Sequence, residues 1–150
     1  MSLTGVWMNE RRSILLLDEN DNGVLAGKFR SLVGRDPHVR DLTGRTSPVE
    51  SGKQMLGFAV QFQIEEPGPG YGHYSVCTWS GWAKGEAPNQ TITTQWLLTI
   101  SRLREEDEWT STTTGCDTFE KVLDSLEEKY LSADRQALEQ LLANSPIRAR

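Results

Sequence analysis

The strongest constraint on this chain is a rhythm in its first 120 residues. Short segments rich in β-branched and aromatic residues alternate apolar with polar side chains, and each ends at a cluster of Gly, Asn, Asp or Pro. A period of two is what a strand shows when one of its faces is buried. Eight such segments run at about 3–9, 13–19, 24–31, 39–46, 55–64, 73–84, 91–103 and 109–119. Between them lie Asn20-Asp21-Asn22-Gly23, Gly34-Arg35-Asp36-Pro37, Ser51-Gly52, Pro67-Gly68-Pro69-Gly70, Gly85-Glu86-Ala87-Pro88-Asn89 and the acidic run Arg104-Glu105-Glu106-Asp107-Glu108. Connections this short join neighbouring antiparallel strands rather than parallel ones. The expected fold is all-β: an eight-stranded antiparallel up-and-down barrel, wide enough to hold one small ligand. An eight-stranded sandwich is the alternative that the pattern alone leaves open.

The end of the chain changes in kind. Val122, Leu123, Leu126 and Tyr130 recur at helical spacing, as do Leu138, Leu141 and Leu142. Ser132 suits an N-cap, Asp134 favours the first turn, and Asn144-Ser145-Pro146 stops the pattern. The division expected is a barrel over 1–122 and a helical C-terminal tail over 123–150. The tail's apolar stripe has to bury against the barrel wall or another subunit, unless it reaches a ligand site.

Composition narrows the function. With 150 residues there is room for one ordinary domain. No stretch approaches the roughly 18 to 20 apolar residues of a membrane span. A net charge of −5 with no basic block argues against nucleic acid or a membrane surface as partner. Two cysteines, Cys77 and Cys116, are too few for a disulfide scaffold and fit no zinc spacing, though one bridge within or between chains stays open. Two histidines, His38 and His73, offer little for acid–base work, so neither an enzyme nor a metal site is expected. The first residues, Met1-Ser2-Leu3-Thr4-Gly5, lack the charged and apolar regions of a signal peptide. The protein is expected to be secreted or periplasmic if such a peptide has been removed, and its compartment is otherwise open.

The alternation sorts side chains into two sets. Residues two apart share a strand face. One set holds Gly5, Trp7 and Asn9; Leu25, Gly27, Phe29 and Ser31; Phe58, Val60 and Phe62; Ser75, Cys77, Trp79 and Gly81; Thr94, Trp96 and Leu98; Ser111, Thr113, Gly115, Asp117 and Phe119. A packed core has no use for Asn, Ser and Asp, because unpaired buried polar groups are costly. A pocket with aromatic walls and a few placed donors and acceptors does use them. Taken singly, each polar residue also fits a solvated rim. Five tryptophans sharpen the point, since an indole needs both a packed ring and an N–H partner.

These residues resemble the avidin and streptavidin family of biotin-binding proteins over about residues 3 to 122. The anchors are Leu3-Thr4-Gly5-Val6-Trp7-Met8-Asn9 with Ser13, Gly23-Val24-Leu25-Ala26-Gly27, Leu42-Thr43-Gly44-Arg45 and Leu56-Gly57-Phe58-Ala59-Val60. They continue with Thr78-Trp79-Ser80-Gly81, Thr94-Gln95-Trp96-Leu97-Leu98, Trp109-Thr110-Ser111 and Gly115-Cys116-Asp117-Thr118-Phe119. The streptavidin branch is the nearer likeness. The resemblance implies non-catalytic, high-affinity biotin binding in the open end of the barrel, with no cofactor. It implies that Asn9 and Ser13 donate to the ureido oxygen, and that Ser31 and Asp117 accept from the ureido N–H groups. Phe62, Trp79 and Trp96 would form an aromatic box, Ser75 would meet the carboxylate tail, and the loop 32–37, with Val33 and Arg35, would be the lid. Trp109 would close the pocket of a neighbouring subunit, which implies a homotetramer. Trp7 would plug the closed end, and Trp82, of outward parity, falls at the surface or a subunit contact.

Four positions depart from streptavidin. Phe29 stands where the family has a Tyr donor to the ureido oxygen, Phe62 replaces a Trp wall, Cys77 replaces a Thr, and Arg35 replaces a small polar lid residue. Weaker biotin binding is therefore expected, with a different small apolar ligand as the alternative. Cys116 faces outward if Asp117 faces in, at a position that meets its own copy across a two-fold axis in the family. An intersubunit Cys116 disulfide is the expectation beside two reduced thiols, and opposite parity disfavours a Cys77–Cys116 bridge.

Overall fold

A computed structural model describes residues 2–31, 36, 38–122 and 140. Eight strands follow one another among these residues: β1 (Gly5–Asn9), β2 (Ile14–Glu19), β3 (Val24–Arg30), β4 (Arg40–Glu50), β5 (Lys53–Gln63), β6 (Tyr71–Lys84), β7 (Thr91–Arg102) and β8 (Thr112–Lys121). Each pairs antiparallel with the next, and β8 pairs back onto β1, so the sheet is a closed barrel rather than a sandwich. Closure removes the free edges that an open sheet of this length would present. The helical tail expected over 123–150, Gln140 apart, lies outside the described residues.

Turn chemistry sets the registers. At the β2–β3 turn, the Asn20 side-chain oxygen accepts the N–H groups of Asn22 and Val24, both at 2.9 Å, while Gly23 takes φ +73°. At the β4–β5 turn, Ser51 and Gly52 both have positive φ, the requirement of a two-residue turn matched to strand twist. Strand β4 runs past its expected end at 46 to Glu50, because a register shift between Thr46 and Val49 takes up Pro48. A second correction concerns residues 109–111. They are not the start of β8, since Glu105–Thr110 form a 3-10 helix that carries Trp109.

The inward set is largely as the alternation indicates. Leu3, Trp7, Leu17, Leu25, Leu56, Phe58, Val60, Trp79, Ala83, Ile92 and Phe119 form one buried cluster. Trp7 is fully buried, and its N–H donates to the Leu3 carbonyl at 2.9 Å, as its role as a plug requires. On the outer wall, Met55, Val76, Trp82 and Leu97 stay well exposed, whereas Val6, Met8 and Ile14, also of outward parity, are buried.

Candidate functional site

The barrel end that carries the β1–β2, β3–β4, β5–β6 and β7–β8 connections is hollow. A cavity of about 350 Å³ opens there, lined by Asn9, Ser13, Phe29, Ser31, Phe62, Ser75, Cys77, Trp79, Trp96 and Asp117 among others. These ten are the sequence-derived site residues the structure brings together. Val33 and Arg35 lie outside the described residues. Trp109 is not on this wall; it stands 86 % exposed in the 3-10 helix, away from its own chain's cavity.

Register explains the aromatic band. Phe58 pairs with Trp79, Trp79 with Trp96, and Trp96 with Gly115, so one row of side chains crosses β5 to β8. The Phe58 and Trp79 rings stack at 4.9 Å, and Phe29 tilts against Trp79 at the same centroid distance. Phe62 meets Phe29 edge-on at 5.8 Å. Gly115 is required here: a Cβ on it would lie 2.2 Å from the Trp96 ring, so that ring rests directly on the β8 backbone.

One row deeper, Asp117 pairs with Thr94. Its Oδ2 accepts the Trp79 N–H at 2.9 Å, and its backbone carbonyl accepts the Thr94 hydroxyl at 3.0 Å. Its Oδ1 is buried with no hydrogen-bond partner among the described residues. Burial pushes the carboxyl above the ordinary carboxylate range, against the Trp79 bond; the charge of Glu10 also raises it, and Arg11 and Asn9 pull it down. Such an acceptor has most to gain from a ligand N–H.

Donors come from the β1–β2 turn. The Asn9 side-chain oxygen accepts the N–H groups of Arg11 at 3.0 Å and Ser13 at 2.8 Å. With that oxygen committed, the Asn9 amide N–H groups and the Ser13 hydroxyl are the donors at this end of the cavity, and the Asn9 amide also lies close enough to Asp117 to lower its carboxyl. Cys77 adds little polarity, since burial and then the charge of Asp117 push its thiol up to about 12. Cys77 is buried and Cys116 exposed, and both are free thiols, in keeping with their opposite parity.

Five cavity residues were not among the sequence-derived site: Arg11, Asp36, Ile64, Leu98 and Ile100. Leu98 belonged to the inward set, and Ile64 and Ile100 continue its parity. Arg11 and Asp36 sit in connections, where no periodicity speaks. The Asp36 carboxylate is buried and accepts from Arg40 Nε at 2.7 Å, Arg40 Nη2 at 3.1 Å, His38 N–H at 3.1 Å and Gln63 N–H at 2.9 Å. Burial opposes its charge, but these donors outweigh it and hold the carboxyl below its usual range.

An avidin family model matches residues 1–122. The chain belongs to the avidin family. Its avidin barrel is similar to the crystal structure of xenavidin, with a TM-score of 0.67 and 28% sequence identity over 81% of this chain and 97% of that one. Avidins are non-catalytic binders of biotin, and Asn9, Ser13, Trp79, Trp96, Leu98 and Asp117 of this avidin barrel's cavity wall fall within the motifs that carried the family resemblance.

Proposed function

We propose that this protein binds biotin, without catalysis or cofactor, in the cavity at the open end of its barrel. The observation that carries the reading is Asp117: a buried carboxylate with one oxygen on Trp79 and the other unpartnered, beneath an aromatic band. A ureido ring matches this need, because its N–H groups feed the carboxylate while its oxygen takes the donors of Asn9 and Ser13. As charge is drawn through the ring, both sets of bonds strengthen. Ser31 accepts the second N–H, the rings of Phe62, Trp79 and Trp96 hold the bicycle, and Ser75 meets the tail.

Binding is weaker than in streptavidin, because Phe29 brings no hydroxyl to the ureido oxygen. Isothermal titration with biotin tests the reading. One site per chain is expected, and no heat and no thermal shift at millimolar ligand would overturn it. A second reading, a different small apolar ligand, is favoured by Phe29, Phe62 and Cys77, and a ligand panel by thermal shift separates the two.

We also propose a homotetramer. Met55 and Trp82 are cross-strand neighbours, Val76 and Leu97 lie on the same outer wall of β5–β7, and all four are exposed in the single chain. Apolar groups clustered on one wall suit a subunit contact, and an exposed Trp109 is free to cover another subunit's cavity. Light scattering behind size exclusion checks the mass.

A further inference from the structure

We propose that Arg11 is a specificity-determining residue of this pocket, giving a cationic donor to the carbonyl oxygen of a cyclic urea while Asp117 takes its N–H. The inference rests on the biotin reading and deepens it. Arg11 lines the cavity, in company with Asn9 and Ser13. The turn holds it there: the Arg11 N–H is pinned to the Asn9 side-chain oxygen, Arg12 follows in the left-handed region at φ 66°, and Ser13 re-enters the cavity wall. That leaves the guanidinium as the one cationic group beside the donors Asn9 and Ser13 on the described wall.

Other charges near the site are accounted for. Arg40 is engaged with Asp36. Glu10 accepts the Thr118 N–H at 3.0 Å across the β1–β8 boundary. Asp117 lines the cavity together with Arg11, and the Arg11 charge favours its ionised form. A urea between them is polarised in one direction, oxygen toward the guanidinium and N–H toward the carboxylate. Phe29 brings no hydroxyl to the cavity, and the Arg11 guanidinium adds a donor to the set of Asn9 and Ser13.

The pairing makes a discriminating prediction. In the cyclic guanidine analogue of biotin, the ureido oxygen is replaced by a protonated NH group. That cation suits Asp117 but meets Arg11 with like charge. The test compares biotin and this analogue by titration calorimetry on the full chain, wild type against Arg11→Met and Arg11→Lys, at one pH and at two salt concentrations.

Arg11→Met is expected to weaken biotin roughly tenfold or more, as loss of a charge-assisted bond does. It should leave the analogue unchanged or bound more tightly, so the affinity ratio collapses. Arg11→Lys should keep most of the ratio. Arg11 is exposed, so the melting temperature without ligand should hold. An Arg11→Met variant that weakens both ligands equally, or neither, overturns the inference while leaving biotin binding intact. A wild type that binds neither ligand overturns the biotin reading, and this inference with it.

Discussion

Replacing Asp117 with Asn should make the empty barrel more stable and the liganded one weaker. The folded protein holds this carboxyl above its ordinary value, chiefly because it is buried. The unfolded chain has no such penalty. A carboxyl raised on folding favours the fold most when protonated. Its contribution falls as pH rises from the ordinary value through the raised one, and the full cost is in force above that raised range. Asn removes that cost and keeps the shape. At a pH above that range the melting temperature without ligand should therefore rise, and the gap to wild type should close on acidification through the carboxyl's raised range.

Binding moves the other way. The Trp79 N–H needs an acceptor, so the Asn oxygen turns to it and the NH₂ group faces the ligand's N–H. A hydrogen bond to a charged group contributes about 1.5–3 kcal/mol, so its loss alone weakens biotin roughly ten- to a hundredfold, and donor facing donor adds to this. Calorimetry for affinity and scanning fluorimetry against pH read both halves. An unchanged affinity refutes the acceptor role, and a lowered melting temperature without ligand refutes the burial argument.

Phe29→Tyr should restore a hydroxyl donor and tighten biotin by up to about tenfold in calorimetry, the worth of one neutral bond. Gly115→Ala should push Trp96 off β8, because the new Cβ falls 2.2 Å from its ring; a shifted tryptophan emission and a loss of about 1–3 kcal/mol in stability, the usual cost of overpacking, are the readouts. Asp36→Asn should lower the melting temperature at neutral pH, where the ionised carboxylate serves four donors. Because its folded carboxyl is held low, that stability is present above the ordinary carboxylate range and is lost as pH falls through the lowered one, so wild type and variant should converge in acid. Oxidation should join chains through the exposed Cys116, giving a covalent dimer on non-reducing gels that Cys116→Ser abolishes.

The strands and most of the pocket were legible because both rest on local rules. Gly and Asn at the turns and a period of two along strands fix which faces point inward, and Trp79, Trp96 and Asp117 follow from parity alone. The continuation of β4 through Pro48 was hidden, since proline ordinarily ends a strand and the bulge that admits it depends on pairing with β5. Trp109 was misplaced for a related reason: the acidic run before it reads as a loop, yet the Ser111 N–H bonds to the Glu108 carbonyl and keeps the chain coiled through Thr110. Arg11 and Asp36 belong to connections, whose side chains are aimed by tertiary contacts. The four-residue spacing of Asp36 and Arg40, opposite in charge around a proline, was the one local hint of a buried ion pair.

The strand ladder between β1 and β8 spans only three residue pairs, from Trp7 with Lys121 to Asn9 with Phe119, with a single bond beyond it on either side, Val122 N–H to the Val6 carbonyl and Thr118 N–H to the Glu10 carboxylate. It is also where the two ends of the barrel sequence meet, so it is the natural place for the sheet to come apart in a local opening. Asn9 stands on one side of it and Asp117 on the other. A molecule gripped by both is a non-covalent cross-link between the first strand and the last. Its residence time is then tied to how often that boundary opens, and amide exchange in β1 and β8 should slow more on ligand addition than exchange in β5 and β6.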